Sequence, residues 1–245
     1  DRYLGDPVIA VFDNLLPDND DIRRRVAARS DADGIDAYSL LAAIGRDCVG
    51  ALQFLPDGAD PGKAGTVDGK PVSDKKIGET LSNLASAPLG IGEDKEFRIS
   101  IAGAQDKTAL LRIDGAWHVP HGTTATTHIL KPQIGVREGK DLSHSVENEH
   151  FCMRILAGLN IPVADTDIVD FDGQIALVIE RFDRQWASDG RLLRVPQEDC
   201  CQALSIPPTR KYQSHGGPTI VNILDFLKGS DDPDYDQLIF LKSQI

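Results

Sequence analysis

The apolar positions of this chain change their period near residue 96. Across residues 1–56 they recur at helical spacing: Asp20 to Arg29 carries Ile22 and Val26 four apart, and Ser39 to Ile44 predicts a second short helix. Residues 57–76 are rich in glycine, proline, aspartate and lysine, with turns at Asp57-Gly58 and Asp68-Gly69, and read as a mobile surface loop. A helix is expected over 77–90, leading into a sheet. From Glu96 the period becomes two. Asp114-Gly115, Asp172-Gly173 and Asp189-Gly190 each lie between alternating or apolar runs. Asp-Gly pairs in that setting predict hairpins, because glycine accepts the positive φ of a type I′ turn. The resulting antiparallel sheet is interrupted by one helix, Val146 to Leu159, whose inward face takes Val146, Glu149, Met153 and Leu156. After Pro196 the pattern is helical again: Gln197 to Leu204, Thr219 to Lys228 and Tyr235 to Ile245.

Within the period-two region, Phe97, Ile99 and Ile101 predict a strand that runs into a loop of small residues, Ala102-Gly103-Ala104. A second strand leaves it (Ala109 to Ile113), and Lys131 closes a third; Pro132 biases that lysine toward an extended backbone. A main chain without bulky side chains can lie on a polyphosphate and turn its N–H groups to the anion. A lysine ending a neighbouring strand adds a point charge for the same phosphates. Strand, tight loop, strand and lysine is how a protein kinase small lobe handles ATP. By spacing alone, the same residues also fit a plain hairpin and a surface lysine. A kinase needs a carboxylate on its helix to hold the lysine, and Glu149 on the inward face is the candidate. Glu147 is about 200° away around the helix and is expected to face solvent. Glu180-Arg181-Phe182 ends the apolar strand Ile175 to Ile179, a break that suits a hinge reading adenine through its backbone. Ser100 is a polar position in the first strand; by pattern alone it faces outward.

A chain of 245 residues with 41% apolar content can bury one large core or two modest ones. The net charge of −12 and a pI near 4.9 argue against a groove that grips nucleic acid unaided. No apolar run reaches the roughly 18 residues of a membrane span. Cys48, Cys152, Cys200 and Cys201 lack C-x-x-C spacing and matching histidines, so no metal site is expected. Reduced cysteines without a signal peptide imply the bacterial cytoplasm. The chain starts at Asp1 without methionine and stops inside the pattern Leu238, Ile239, Leu241, Ile245; it reads as a fragment.

The wording is sharper than the spacing. "FRISIAGAQDKTALL" followed by "THILKP", "NEHFCMRILA" and "ALVIERFDR" resembles the HipA-type serine/threonine kinases of bacterial toxin–antitoxin pairs. The resemblance extends upstream to "VFDNLLPD" and "LLAAIGRDCVGAL", and downstream to Val195-Pro-Gln-Glu-Asp199 and Gly216 to Pro218, covering nearly the whole chain. It implies an α+β, protein-kinase-like fold: part of an N-terminal subdomain (1–89), an antiparallel small lobe with one inserted helix (90–195), and the start of a helical large lobe (196–245). It implies that Ala102, Gly103, Ala104, Gln105, Asp106, Lys107 and Lys131 bind ATP, with Glu149 in support and Glu180, Arg181 and Phe182 on the adenine. The serine matching Ser100 is autophosphorylated in the family, which silences the kinase. Mg2+ and the catalytic aspartates belong to an Asp-Gly-x-x-x-Asn loop and a later aspartate, both expected beyond Ile245, so this polypeptide is expected not to turn over alone. The implied partners are a HipB-type helix-turn-helix antitoxin, which contacts DNA on the kinase's behalf, and a protein substrate, an aminoacyl-tRNA synthetase. A different class, an inactive homologue serving as an antitoxin-binding co-repressor, is separated from it by whether that catalytic loop exists.

Three partial motifs are set aside. Gly103 to Thr108 lacks the glycine before Lys107-Thr108 that a P-loop needs and opens a hairpin, not a βα unit, so a P-loop hydrolase fails on topology. Asp170-Phe171-Asp172-Gly173 reads as a hairpin turn rather than Asp-Phe-Gly. Arg46-Asp47 lies upstream of the small lobe, has Leu52 where the catalytic loop has asparagine, and belongs with the N-terminal module.

Overall fold

The computed structural model of this chain describes residues 4–91, 98–137 and 139–244. Three short helices come first: α1 (Asp6–Asp13), α2 (Asp20–Ser30) and α3 (Ala37–Ile44). Asn19 caps α2 by accepting from the Asp21 and Ile22 amides, and Asp36 caps α3 through the Ser39 amide. Strand β1 (Gly69–Pro71) and helix α4 (Asp74–Ser82) follow, then β2 (Thr108–Ile113), β3 (Ala116–Pro120), β4 (His128–Pro132) and a small ribbon, β5 (Gly135–Arg137) with β6 (Lys140–Leu142). Helix α5 (Ser145–Gly158) leads to β7 (Thr166–Phe171), β8 (Gln174–Glu180) and a second ribbon, β9 (Arg184–Trp186) with β10 (Leu192–Arg194). The chain then runs through α6 (Cys200–Ala203), α7 (Ile220–Leu227) and α8 (Pro233–Lys242).

The main sheet is antiparallel throughout, in the order β1-β3-β2-β4-β8-β7. Two of the Asp-Gly turns make its hairpins. Asp114 and Gly115 (φ 48° and 84°) join β2 to β3, and Asp172 and Gly173 (55° and 86°) join β7 to β8. Both central residues are left-handed, as a type I′ turn requires. In the turn between β9 and β10 only Gly190 has positive φ, so that hairpin uses a different connection. Helix α4 lies on one face of the sheet, where Ile77, Leu81 and Leu84 meet Leu110, Leu130, Phe171, Ala176 and Val178. It comes so close that a Cβ on Gly78 would stand 2.2 Å from the Phe171 carbonyl oxygen; only glycine fits there.

Several expectations are corrected. Part of the 57–76 loop is ordered into the sheet, with Lys70 opposite Val119. The helix expected over 77–90 starts earlier, at the Ser73 cap, and ends at Ser82, before a 3-10 turn at Pro88–Gly90. The helix expected over 197–204 shortens to α6, fixed by a capping box between Asp199 and Gln202. The largest correction concerns the strand predicted at Phe97–Ile101. Phe97 lies outside the described residues, and residues 98–101 form no strand of the described sheets. Ile99 and Ile101 instead enter the core of the N-terminal helices, against Leu15, Leu16, Ile22, Val26, Leu40, Leu41 and Ile44. A boundary at 89 therefore cuts through one continuous core, and α4, on its N-terminal side, belongs with the sheet.

A buried ionic cluster joins that core to the end of the sheet. The Asp47 carboxylate accepts from the Thr126 amide and hydroxyl (2.9 and 2.7 Å), Arg181 (3.3 Å), Arg184 (2.9 Å) and Arg194 (3.2 Å). Asp183 takes a fork from Arg181 (3.0 and 2.7 Å), a bond from Arg184 and the Gly50 amide (2.7 Å). The side chains of Asp47, Arg181, Asp183 and Arg184 are each no more than 5% exposed. Burial alone would raise the Asp47 pKa, but the three guanidinium groups and Thr126 overcome it and hold the carboxyl near 2.

Replacing Asp47 with alanine leaves buried guanidinium groups short of an anion and is expected to cost about 3–5 kcal/mol of stability. Because its folded pKa lies below the unfolded value, Asp47 stabilises the fold above about pH 4 and loses that contribution as pH falls toward 2. Thermal melts of wild type and Asp47→Asn between pH 6 and pH 2 check this: the variant starts lower and falls less steeply.

Candidate functional site

Lys131 stands at the end of β4, between β2 and β8, with Leu177 as its register partner. The residues just after it set its environment. Gln133 caps α5 with its side-chain oxygen, which accepts from the Val146 amide (2.9 Å) and the Ser145 hydroxyl (3.1 Å); the Ser145 oxygen in turn accepts from the Ile134 amide (2.9 Å). The strand end and the helix start are thereby one unit, and one turn into α5 Glu149 comes over the strand. Its Oε1 accepts from Lys131 Nζ at 2.6 Å, with side-chain exposures of 37% and 21%. Glu147 does not merely face solvent, as expected. Its Oε2 accepts from Gln133 Nε2 at 2.6 Å, and that bond holds its carboxyl below the ordinary glutamate range.

The Ala102–Lys107 loop lies against the same strand end, because Gln105 Nε2 donates to the Pro132 carbonyl at 3.1 Å. Gly103 has φ 109°, a conformation that side chains rarely adopt, and a Cβ there would meet Lys107 Nζ at 2.8 Å. The Lys107 ammonium is tucked behind the loop, 5% exposed, and donates to the Ala102 carbonyl at 2.9 Å. The Gly103 carbonyl accepts from the Asp18 amide at 3.4 Å. In a trans peptide the N–H points opposite to the preceding C=O. Drawing the carbonyls of 102 and 103 backward therefore turns the N–H groups of Gly103 and Ala104 outward. Burial first, and then the like charge of Lys131, pull the Lys107 pKa down to about 8. Asp106 turns away from the loop toward Arg137 (3.7 Å), and its Oδ1 has no hydrogen-bond partner. Outward amides, with the Lys131 ammonium at the same strand end and the Lys107 ammonium behind the loop, are an arrangement that can receive an anion. No group of three or more His, Cys, Asp or Glu side chains placed to hold a metal occurs among the described residues.

The predicted hinge residues separate. Phe182 is 69% exposed and Glu180 is exposed, whereas Arg181 is 4% exposed and removed from any ligand. Its guanidinium is spent on Asp47, Asp183, Thr126 and the Cys48 carbonyl, and its amide donates to Thr127 O. The Arg181 side chain thus ties the sheet to the N-terminal module, and its amide, which a backbone hinge would offer to adenine, is taken by Thr127 O. Glu180 pairs with His128 across the sheet, three residues from the Lys131–Leu177 pair, which puts roughly 10 Å of strand between hinge and lysine. Ser100 does not face outward: it is fully buried, its hydroxyl donates to the Leu15 carbonyl at 2.7 Å, and its amide to the Asp47 carbonyl at 3.0 Å. Sequence reasoning missed Arg184 and Arg194 as partners of Asp47, Asp183 as the second carboxylate of that cluster, and Gln133 as the cap; the one signal was the unusual density of arginine and aspartate in Glu180–Arg184.

An antiparallel sheet crossed by one helix, with a lysine–glutamate pair beneath a glycine loop, defines a protein-kinase-like small lobe. The family follows from likeness to known proteins. The model of the HipA-like C-terminal domain matches residues 99–245 and that of the HipA N-terminal domain matches residues 1–55, so the chain belongs to the HipA family. It is 38% identical over 221 residues to the protein Y4mE of Sinorhizobium fredii (strain NBRC 101917 / NGR234), covering 89% of this chain and 51% of the relative. It is 32% identical over 205 residues to the serine/threonine-protein kinase toxin HipA of Shewanella oneidensis, covering 83% of this chain and 45% of that protein. A solved complex of the Shewanella oneidensis MR-1 toxin–antitoxin system, with HipA, HipB and operator DNA, superposes with a TM-score of 0.77 at 27% identity, over 96% of this chain and 55% of the matched one. The chain spans about half the length of the curated relatives it matches.

Gly103→Ala is expected to push Lys107 off the Ala102 carbonyl and release the loop, at a cost of about 1–3 kcal/mol. Hydrogen exchange of the amides between 99 and 107 should accelerate while those of β4 and β8 stay protected; unchanged exchange in the loop would contradict this geometry.

Proposed function

We propose that this chain is the nucleotide-binding half of a HipA-type serine/threonine kinase toxin, and that its anion cradle takes the phosphates of ATP. The observation that carries the reading is the Lys131–Glu149 contact at 2.6 Å beneath a glycine loop tied to the same strand end. In this reading Lys131 binds the phosphates, Glu149 holds it in place, the outward amides of Gly103 and Ala104 face the anion, and the exposed edge at Glu180 and Phe182 meets the adenine. Mg2+ would accompany the phosphates, with its ligands mostly outside this chain. Phosphoryl transfer then needs an aspartate and an asparagine from elsewhere in the whole protein, and the acceptor is a serine or threonine of a protein, by family an aminoacyl-tRNA synthetase. Ser100 is the autophosphorylation site in the same reading. The likeness to a HipA–HipB–DNA complex supports an antitoxin partner that carries the DNA contact, and the −12 net charge of this chain agrees with that division of labour.

The reading is tested by titrating ATP and its magnesium complex into wild type and Lys131→Met. Removing a charge-assisted contact should weaken binding about tenfold or more; equal affinities would take Lys131 out of this role.

A second expectation concerns protons. With Lys107 near 8 in the free protein, a bound polyphosphate would favour its ammonium form and raise that value. Binding at pH 8 should therefore take up about half a proton, falling to about a tenth at pH 7. Isothermal titration calorimetry in two buffers of different ionisation enthalpy measures the uptake, and Lys107→Met should abolish it.

A further inference from the structure

The nucleotide loop is not carried by the sheet alone. Its incoming arm, residues 98–101, is built into the N-terminal module: Ile99 and Ile101 in the core, Ser100 bonded to Leu15 O and Asp47 O. The loop itself is then met by Asp18, in the turn between α1 and α2. The Asp18 amide donates to the Gly103 carbonyl, and its carboxylate, 16% exposed, pairs with the ammonium of Lys211. Lys211 follows the 3-10 turn at Pro208–Arg210, far along the chain beyond the sheet, and also lies over the Tyr212 ring at 5.1 Å. One residue of the N-terminal module thus holds the loop with its main chain and a distant segment with its side chain.

We propose that Asp18 is a positioning residue for the phosphate loop, latched by Lys211, so that the Gly103 amides take their anion-facing pose only while the N-terminal module and the 208–217 segment are docked together. The inference rests on the nucleotide reading above and adds to it a regulatory input: whatever displaces the 14–18 turn or the 208–217 segment loosens the phosphate grip without touching the nucleotide. The chemistry is specific. The Asp18 carboxylate pairs with the Lys211 ammonium, and without that anchor the turn can rotate, withdrawing its N–H from Gly103 O. The freed carbonyl then turns forward, and by peptide planarity the Ala104 N–H turns back. Such a rotation costs the phosphates a donor and leaves the adenine contacts as they were.

The test uses the full chain and five proteins: wild type, Asp18→Asn, Lys211→Met, the double variant, and Lys131→Met as the reference for the nucleotide reading. ATP and AMP affinities, melting temperatures and hydrogen exchange across 99–107 are measured on each. The expected result is a loss of about fivefold or more in ATP affinity for either single variant, no further loss in the double, and unchanged AMP affinity and melting temperature. Wild-type ATP affinity in Asp18→Asn and Lys211→Met, with binding lost in Lys131→Met, overturns the latch and leaves the nucleotide site standing. Equal losses for ATP and AMP together with a lower melting temperature also overturn it, since they describe a general structural contact. Should wild type bind no ATP, the nucleotide reading fails and hydrogen exchange decides the latch: faster exchange across 99–107 in Asp18→Asn supports it, and unchanged exchange sinks it.

Discussion

Three separate parts of the structure are referred to one residue, Asp47. Its carboxylate receives guanidinium groups from Arg181, Arg184 and Arg194, residues 134 to 147 positions away, and its backbone carbonyl receives the Ser100 amide. A carboxylate taken out of water costs several kcal/mol unless it is paired and hydrogen-bonded, so one residue of the N-terminal module forces the end of β8, the β9–β10 ribbon and the arm of the glycine loop to one place. Such a cluster is weak evidence for stability, because apolar residues of equal volume could hold the same space as firmly. Its value lies in uniqueness: an apolar contact tolerates sliding, whereas a forked guanidinium–carboxylate pair has one geometry.

The local charge balance around the loop runs against that of the whole chain. Asp18 is met by Lys211, Asp106 by Arg137 and Glu149 by Lys131, while Lys107 donates only to the neutral Ala102 carbonyl among its described hydrogen bonds. Among the described residues, with Glu147 on Gln133 included, four cations therefore meet four carboxylates here, a neutral balance in a protein whose net charge is −12. Surface carboxylates repel a polyanion over distances that salt screens within about 8–10 Å, whereas the half-buried lysines act at contact, where screening is weak. In the proposed reading, selectivity for an anion at this point follows from that difference in range, and needs no basic surface.

Much of this was legible in the sequence, and the remainder was hidden for a physical reason. The hairpins at Asp114-Gly115 and Asp172-Gly173, the single helix α5 and the lysine–glutamate pair all follow from local signals: positive φ at a turn, a 3.6-residue period, a proline after a strand. The arm at 98–101 was misjudged because alternation of isoleucines states that one side is buried and not what buries it; a helical core satisfies Ile99 and Ile101 as well as a sheet does. The side-chain role of Arg181 was missed for a related reason. Its neighbours in sequence ended a strand at a plausible hinge, while its true partners, Asp47 and Thr126, are distant and carry no periodic mark. Glu147 and Glu149 were separated correctly by angle, yet the polar work of Glu147 depends on Gln133, which only the folded strand end brings near.

The misjudged arm bears most on mechanism. A hydroxyl that donates to the Leu15 carbonyl inside a core cannot meet a phosphoryl donor where it stands, so the proposed modification of Ser100 would require residues 98–101 to leave the N-terminal module first. A phosphate placed there could not return. It carries a charge of about −2 and only acceptor oxygens at neutral pH, and it would face the Leu15 and Asp47 carbonyls with no donor to offer. The same four residues lead directly into Ala102, whose carbonyl holds Lys107 beneath the loop. In the proposed reading, release of the arm and loss of the anion-facing loop are therefore one event, because the segment that hides the serine is the segment that shapes the loop.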